Sequence, residues 1–191
     1  MLTASKKTFF SQHTNSLAIL TGIVSTEETK QITNQLLTNN QLAPASIYFK
    51  YYLHQALIKS GLGNDYLKWL DKWRENINMG LTTWAETSDL TNTRSDCHAW
   101  GSSPNIEFYR TILGIDSDAP AFKAVKIEPH LGDIQKISGE MPHPDGKIAV
   151  SYEIAKGKLN VQIELPLSVK GRFIWKGKTF ALKGGKNNFL L

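Results

Sequence analysis

Residues 147–165 read Lys-Ile-Ala-Val-Ser-Tyr-Glu-Ile-Ala-Lys-Gly-Lys-Leu-Asn-Val-Gln-Ile-Glu-Leu, and this stretch decides the fold of the C-terminal part of the chain. Apolar residues occupy every second position on both sides of Lys156-Gly157-Lys158. A period of two is typical of strands with one buried face, and a short break containing glycine between two such runs is typical of a hairpin. The stretch therefore predicts two antiparallel strands joined by a tight turn.

Shorter runs on both sides of this hairpin continue the same pattern. They predict three further strands, and clusters of Pro, Asp and Gly between the runs predict turns. We therefore expect an antiparallel β-sandwich over residues 122–191. The additional strands are predicted at 125–127, 172–176 and 179–182, and the turns at 143–146 and 176–177.

The first half of the chain has the spacing of helices instead. Apolar residues recur at intervals of three and four, and glycines or capping residues separate the runs. Runs of helices followed by runs of strands indicate two separate domains, an α domain at 1–116 and a β domain at 122–191, with a linker at 116–122. Helices are predicted at 9–21, from Ser25 with Glu28 in a capping box, at 46–60, at 64–78, and from Ser103-Pro104 onward.

Composition indicates a folded chain of 191 residues with 10% aromatic and 20% charged residues. The net charge is +5, and 12 basic against 6 acidic residues follow from Lys123 onward. These lysines alternate with apolar residues, as on the solvated face of a sheet, and no nucleic-acid recognition motif accompanies them. We therefore expect no nucleic-acid partner.

Cys97 is the single cysteine, so neither an intrachain disulfide nor a cysteine-based metal site can form. No metal-ligand cluster stands out, and we expect no metal and no cofactor. The chain contains no apolar run long enough for a signal segment or a membrane span, so we expect no membrane partner. Both a periplasmic and a cytoplasmic location stay open, since an export signal could lie upstream.

The stretch between the helices and the strands concentrates Trp, Glu, His, Asp and Arg without either periodicity. A Trp beside a carboxylate suits sugar recognition, because the ring stacks on sugar C–H faces while the carboxylate handles hydroxyls or water. Each residue also has a structural interpretation. Glu86 could be a solvated loop carboxylate or a helix cap, His98 a structural histidine, and Trp84 and Trp100 core residues.

The segment Met-Gly-Leu-Thr-Thr-Trp-Ala-Glu at 79–86, followed by Arg-Ser-Asp-Cys-His-Ala-Trp at 94–100, resembles bacterial α-L-rhamnosidases. In that family a Thr-Thr-x-x-Glu segment precedes a helix start that contains His. Residues 10–12 and 48–52 look like the same family in the expected order, and the strands look like its C-terminal sandwich. The resemblance implies that the chain is a C-terminal fragment, with the last helices of an (α/α)6 barrel followed by an antiparallel β-sandwich.

The family hydrolyses terminal α-L-rhamnosyl residues with inversion, which requires two carboxyl groups. The resemblance implies that Glu86 is the general base, that His98 contacts the rhamnose, and that Trp84 and Trp100 wall the pocket. In the family the general acid lies upstream of the region that matches Met1. The spare carboxylates Asp89, Asp96 and Glu107 do not match its position.

We therefore expect the isolated chain to be inactive, with the missing N-terminal part of the enzyme as a partner and a rhamnose-containing glycoside or polysaccharide as the substrate. We also expect exposed apolar side chains where the helices lack the rest of the barrel, with Phe9, Phe10, Ile47 and Tyr51 as candidates.

Two alternatives stay open. In one, the chain is a non-catalytic carbohydrate-binding or interaction protein whose sandwich does the binding. In the other, it is a fragment of another (α/α)6 carbohydrate-active enzyme, such as a glucuronyl hydrolase or a disaccharide phosphorylase. Those enzymes share the barrel but not the order of Thr-Thr-Trp-Ala-Glu at 82–86 and His98.

Overall fold

A computed structural model describes residues 10–92 and 95–191 of the chain. Phe9, at the predicted start of the first helix, and Arg94, in the motif after Glu86, lie outside these residues. Helices precede strands, as the change of period predicts. The chain divides into two compact units, Met1–Pro104 and Asn105–Leu191. The predicted linker at 116–122 lies inside the second unit, and the assignment of domains at 1–116 and 122–191 stays a prediction.

The first unit is helical, and its local signals act as the sequence predicts. Gly22 ends the first helix in the left-handed conformation, with φ of 73°. Ser25 and Glu28 form a complete capping box, in which each side chain bonds the other residue's backbone N–H. The helices are α1 (Gln12–Thr21), α2 (Thr26–Thr38), α3 (Lys50–Leu57) and α4 (Asp71–Asn78), with a π-helical turn at Ile58–Leu62 and 3₁₀ segments at Gly63–Trp69 and Ala99–Ser102.

The two long helices predicted at 46–60 and 64–78 are shorter than expected. The first begins only at Lys50, and Gly61, which directly follows its predicted end, has φ of 90°. In the second, a 3₁₀ segment is followed at Asp71 by a new α-helix. The guanidinium of Arg74 donates to the Leu67 carbonyl at 2.7 Å, which satisfies an acceptor near this break. The spacing of apolar residues alone could not reveal the break before Asp71.

Ile47 is fully buried, so its assignment as an exposed apolar residue is wrong. The segment before α3 is tied to the start of α1, where the Ala43 N–H donates to the Phe10 carbonyl at 2.8 Å. The Gln12 side chain accepts from the Ala45 N–H at 2.8 Å. These bonds draw the connection inward, and Phe10 and Tyr51 are partly buried. The large apolar side chains that the helical unit exposes include Leu17, Tyr48 and Trp100.

The second unit begins with the end of a short helix and consists mainly of two four-stranded sheets. One sheet has the order β1-β2-β6-β7 and the other β3-β4-β5-β8. Buried apolar residues from both sheets form one core cluster. The helix α5 (Ser103–Glu107) is followed by a π-helical turn at Phe108–Ile112. The strands are β1 (Ile115–Ser117), β2 (Ala124–Ile127), β3 (Lys136–His143), β4 (Gly146–Ala155), β5 (Lys158–Leu165), β6 (Lys170–Trp175), β7 (Lys178–Leu182) and β8 (Gly185–Leu190), with a 3₁₀ turn at Pro120–Phe122.

The sheets are antiparallel except at one place, where β2 and β6 pair in parallel. Between these two strands the chain builds β3, β4 and β5 of the other sheet, and it then returns in the direction of β2. The prediction of a purely antiparallel sandwich is therefore wrong in this one pair of strands. Parallel pairs need such a long crossover, which no short-range pattern in the sequence reveals.

Three strands, β1, β3 and β8, were not predicted. β3 contains Gly139 and Pro142, both of which are disfavoured in strands, and it is tolerated because it lies at the edge of its sheet. β8 has polar residues at three consecutive positions, 186–188, which breaks the alternation typical of a strand with one buried face. Among the helices that the structure describes, none is both long and apolar enough to cross a membrane.

Candidate functional site

The loop that follows α4 is held at two points by side chains of that helix. The Asn76 side chain accepts from the Ala85 N–H at 3.0 Å and donates to the Lys72 carbonyl at 2.7 Å. The Trp73 indole N–H donates to the Gly101 carbonyl at 2.5 Å in a buried contact. Since a helix is rigid, these bonds fix the segments around residues 85 and 101 relative to each other.

Backbone hydrogen bonds then bring the two limbs of the loop side by side. The His98 N–H donates to the Trp84 carbonyl at 2.9 Å, and the Glu86 N–H donates to the Ser95 carbonyl at 2.9 Å. Gly101 allows the close approach, because a Cβ there would lie 2.7 Å from the Cβ of Trp84. Glu86 and His98, twelve positions apart in the sequence, are thereby brought together.

The carboxylate of Glu86 and the imidazole of His98 face each other, with 3.9 Å between Oε2 and Nε2. The side chains are only 11% and 21% exposed. The separation exceeds a direct hydrogen bond, and one water or sugar hydroxyl could contact both groups. A partly buried acid beside an imidazole can hold a hydroxylated ligand or accept a proton from water.

Aromatic rings line this pair. The Trp100 ring lies 4.4 Å from the His98 ring at an interplanar angle of 33°, and its indole N–H donates to the Glu86 carbonyl at 3.4 Å. Tyr48, in the turn before α3, contacts Trp100 edge-on at 6.0 Å between ring centres. Trp100 and Tyr48 keep 46% and 47% of their surface exposed, so their rings are accessible to a ligand.

The structure thus gathers three of the four predicted site residues, Glu86, His98 and Trp100, into one cluster. Trp84 lies in the same pair of limbs, where its carbonyl accepts from His98. Two residues of the site were missed as such. Tyr48 was assigned only to a helix, and nothing in the local sequence of Asn76 distinguishes it from other polar helix residues.

The three spare carboxylates are engaged elsewhere or exposed. Hydrogen bonds from the Asn92 and Thr91 side chains lower the pKa of Asp89 to about 2. Asp96 is exposed. Glu107, in the second unit, is 1% exposed and accepts from the Thr111 hydroxyl at 2.6 Å. In the described ranges 10–92 and 95–191, no three His, Cys, Asp or Glu side chains are grouped so that they could hold a metal ion.

Most of the second unit is similar to a known domain family. Residues 114–188 match the bacterial alpha-L-rhamnosidase C-terminal domain. Over 68 residues, or 35% of this chain and 7% of the relative, the sequence is 31% identical to an alpha-L-rhamnosidase of Alteromonas sp. (strain LOR).

Solved structures extend the likeness to both units. A GH78 family rhamnosidase of Bacillus sp. GL1 superposes with a TM-score of 0.82 at 25% identity, over 94% of this chain and 20% of that one. An α-L-rhamnosidase of Aspergillus terreus gives 0.82 at 19% identity, over 95% and 24%. One of Streptomyces avermitilis, solved with L-rhamnose, gives 0.79 at 15% identity, over 94% and 21%. The chain spans a fifth to a quarter of the length of these solved relatives.

Proposed function

We propose that this chain is part of an α-L-rhamnosidase, a glycoside hydrolase in which residues 114–188 form the C-terminal domain and helices α1–α4 are the last helices of an (α/α)6 barrel. The family match and the likeness to solved rhamnosidases support this assignment. Because the chain spans only a fifth to a quarter of those relatives, the activity belongs to the enzyme that the chain forms with the remaining part.

The observation that carries the proposal is the Glu86–His98 pair beside Trp100, in a loop anchored by Asn76. In the proposed inverting hydrolysis, the carboxylate of Glu86 takes a proton from a water molecule. That water attacks the anomeric carbon and inverts its configuration. His98 holds a hydroxyl of the rhamnosyl group, and Trp84 and Trp100 provide apolar surface for the sugar ring. The substrate is a rhamnose-containing glycoside or polysaccharide.

The general acid comes from the remaining part of the enzyme. An acid must carry a proton at the working pH, and the hydrogen bonds from Asn92 and Thr91 keep Asp89 ionised at any pH well above 2. Glu107 is buried, and its carboxylate accepts a hydrogen bond from Thr111 and forms an ion pair with Arg110. By itself the chain is expected to hydrolyse aryl α-L-rhamnosides at least about 10²-fold more slowly than the completed enzyme, since a positioned acid contributes about 10² to 10⁴ in rate.

The decisive test is Glu86→Gln in the enzyme completed by fusion or co-expression with the missing barrel. Glutamine keeps the shape but cannot accept the proton, so kcat should fall by about 10² to 10⁴ while the affinity for rhamnose persists. Glu27→Gln, an exposed change on α2, is the matched control and should retain kcat. Near-normal kcat in Glu86→Gln would contradict the assignment and leave Glu86 as a structural carboxylate.

Two further variants separate the roles within the site. His98→Ala should mainly raise KM, because it removes a contact already made with bound substrate. In Glu86→Ala, added azide should occupy the position of the attacking water and yield a glycosyl azide of inverted configuration. An azide product of retained configuration would exclude the inverting mechanism.

A further inference from the structure

The end of the β unit carries two hairpin turns of identical sequence. Lys156-Gly157-Lys158 joins β4 to β5, and Lys176-Gly177-Lys178 joins β6 to β7. The two hairpins belong to different sheets, yet both line one cavity of about 290 Å³. Gly157 and Lys158 of the first turn and Lys176 and Lys178 of the second lie around this single opening.

Both turns have a lysine in a conformation that lysine disfavours. Lys156 and Lys176 have φ of 52° and 48°, followed by glycines with φ of 74° and 76°. This is the two-residue turn that suits hairpins, and Asn or Asp is the usual first residue because side chains with Cβ branches or long stems resist positive φ. Turn geometry therefore does not explain the lysine at either position, and of the two only Lys176 lines the cavity.

Some lysines of the sheets have a glutamate partner, while those around the cavity, like Lys170 and Lys186, have none among the described residues. Lys136, Lys147 and Lys126 each pair with a glutamate within 3.2 Å. In the described part of the chain, Lys158 and Lys178 form no ion pair, and the ammonium of Lys176 lies 5.7 Å from the centre of the Trp175 ring. Three lysines and Leu191 thus lie around the opening, and among the described residues no carboxylate lies within 4 Å of the ammonium of Lys158 or Lys178.

The cavity beneath the lysines is apolar. Its walls include Ile154, Leu159, Phe180 and the Trp175 ring. A volume of about 290 Å³ lies near the lower limit of small-molecule pockets, about 300 to 1,000 Å³, and suits one small cyclic group. A nucleic acid would instead need an extended basic track along its backbone.

We propose that the cavity between the two Lys-Gly-Lys turns binds a carboxylated sugar, such as a uronic acid residue of a polysaccharide. The apolar walls would contact the C–H face of the sugar ring, and the ammonium groups would bind its carboxylate and that of a neighbouring residue as compact point charges. This site goes beyond the proposed hydrolysis and involves neither Glu86 nor His98. It would hold a charged polysaccharide on the same chain that contributes to the catalytic site.

The test is binding of trigalacturonate to the full chain by titration calorimetry, with its fully methyl-esterified form as the uncharged control ligand. We expect the acid form to bind, the ester to bind at least about tenfold more weakly, and salt to weaken the binding of the acid. Equal binding of both forms, or no binding of the acid at millimolar concentration, would overturn the proposal. Binding of anionic lipid vesicles or a thymidine oligonucleotide in place of the acid would overturn the choice of a sugar.

Two triple variants locate the site. Lys158→Gln, Lys176→Asn and Lys178→Gln together should weaken binding by roughly tenfold, the size expected for three partly exposed ion pairs. Asn suits the positive φ of position 176, so this change should not lower the melting temperature.

The matched control variant also removes three charges from the same unit. It carries Lys123→Gln, Lys170→Gln and Lys183→Gln, at the other end of the sheet, and should bind normally. Equal losses in both variants would indicate only the net charge and overturn the assigned site. If the triple variant fails to fold, Lys178→Gln alone should still weaken binding.

Discussion

At the scale of single residues, Asn76 holds the candidate site in place from inside α4. Its amide accepts from the buried Ala85 N–H, and alanine at this position would leave that donor unpaired. We expect Asn76→Ala to lower the free energy of unfolding by about 1–3 kcal/mol. Urea unfolding measures the loss, and faster amide exchange over residues 83–87 would locate it. Asn78→Ala, an exposed change on the same helix, is the control, and equal stability of the two variants would contradict this role.

His54 makes the stability of the helical unit depend on pH. It is enclosed by Tyr66, Trp69 and Trp73, and burial, with a smaller contribution from the charge of Lys50, lowers its pKa to about 3. The unfolded chain, with a histidine pKa of about 6.5, binds this proton while the folded chain does not. His54 therefore does not lower the free energy of unfolding at pH values well above 6.5. As the pH drops from 6.5 toward 3, the free energy of unfolding falls by up to about 1.4 kcal/mol per pH unit.

Replacing this histidine checks that account. His54→Phe keeps an aromatic ring in the same enclosure and cannot take up a proton, so its free energy of unfolding should fall less steeply between pH 6.5 and pH 4 than that of the unaltered chain. Above pH 7 the two curves should run parallel, which serves as the internal control. Identical slopes throughout the acid range would show that His54 does not cause the dependence.

At the scale of elements, the parallel pair of β2 and β6 depends on Gly171. A Cβ at this position would lie 2.1 Å from the carbonyl oxygen of Val125, which is backbone and cannot move aside. We expect Gly171→Ala to destabilise the second unit by about 1–3 kcal/mol or more, since overpacked strands must separate. Thr179→Ala, an exposed change in β7, is the control in the same urea titration. A neutral Gly171→Ala would mean that the two strands do not approach as closely.

At the scale of the whole molecule, the helical unit presents apolar side chains that the proposed barrel would cover. Leu17, Tyr48 and Trp100 are each nearly half exposed. We expect the chain alone to bind a hydrophobic dye, and Leu17→Ser with Tyr48→Ser to reduce the fluorescence. Leu167→Ser removes a side chain that is 89% exposed on the β unit, and it should change the signal less. A chain that binds no dye and stays monomeric at high concentration would contradict a missing partner surface.

The local sequence determined those features whose causes lie within a few residues. The capping box of Ser25 and Glu28 and the hairpin around Lys156-Gly157 were both predictable, because capping and turn geometry depend on neighbouring backbone groups. The change from helices to strands was predictable for the same reason, since burial of one face imposes a period on each element. The motif from Thr82 to His98 indicated the residues of the site, though not their geometry.

Only the tertiary structure decided what depends on contacts between distant residues. The parallel pairing of β2 with β6 arises from the path of three intervening strands, and the burial of Ile47 arises from hydrogen bonds between the start of α1 and the segment before α3. The approach of Glu86 to His98 depends on Asn76 and on two backbone bonds between the limbs of the loop. Such contacts depend on hydrogen bonding and packing between segments that are distant in the sequence. The spacing of apolar residues reports only on neighbouring positions and therefore cannot predict them.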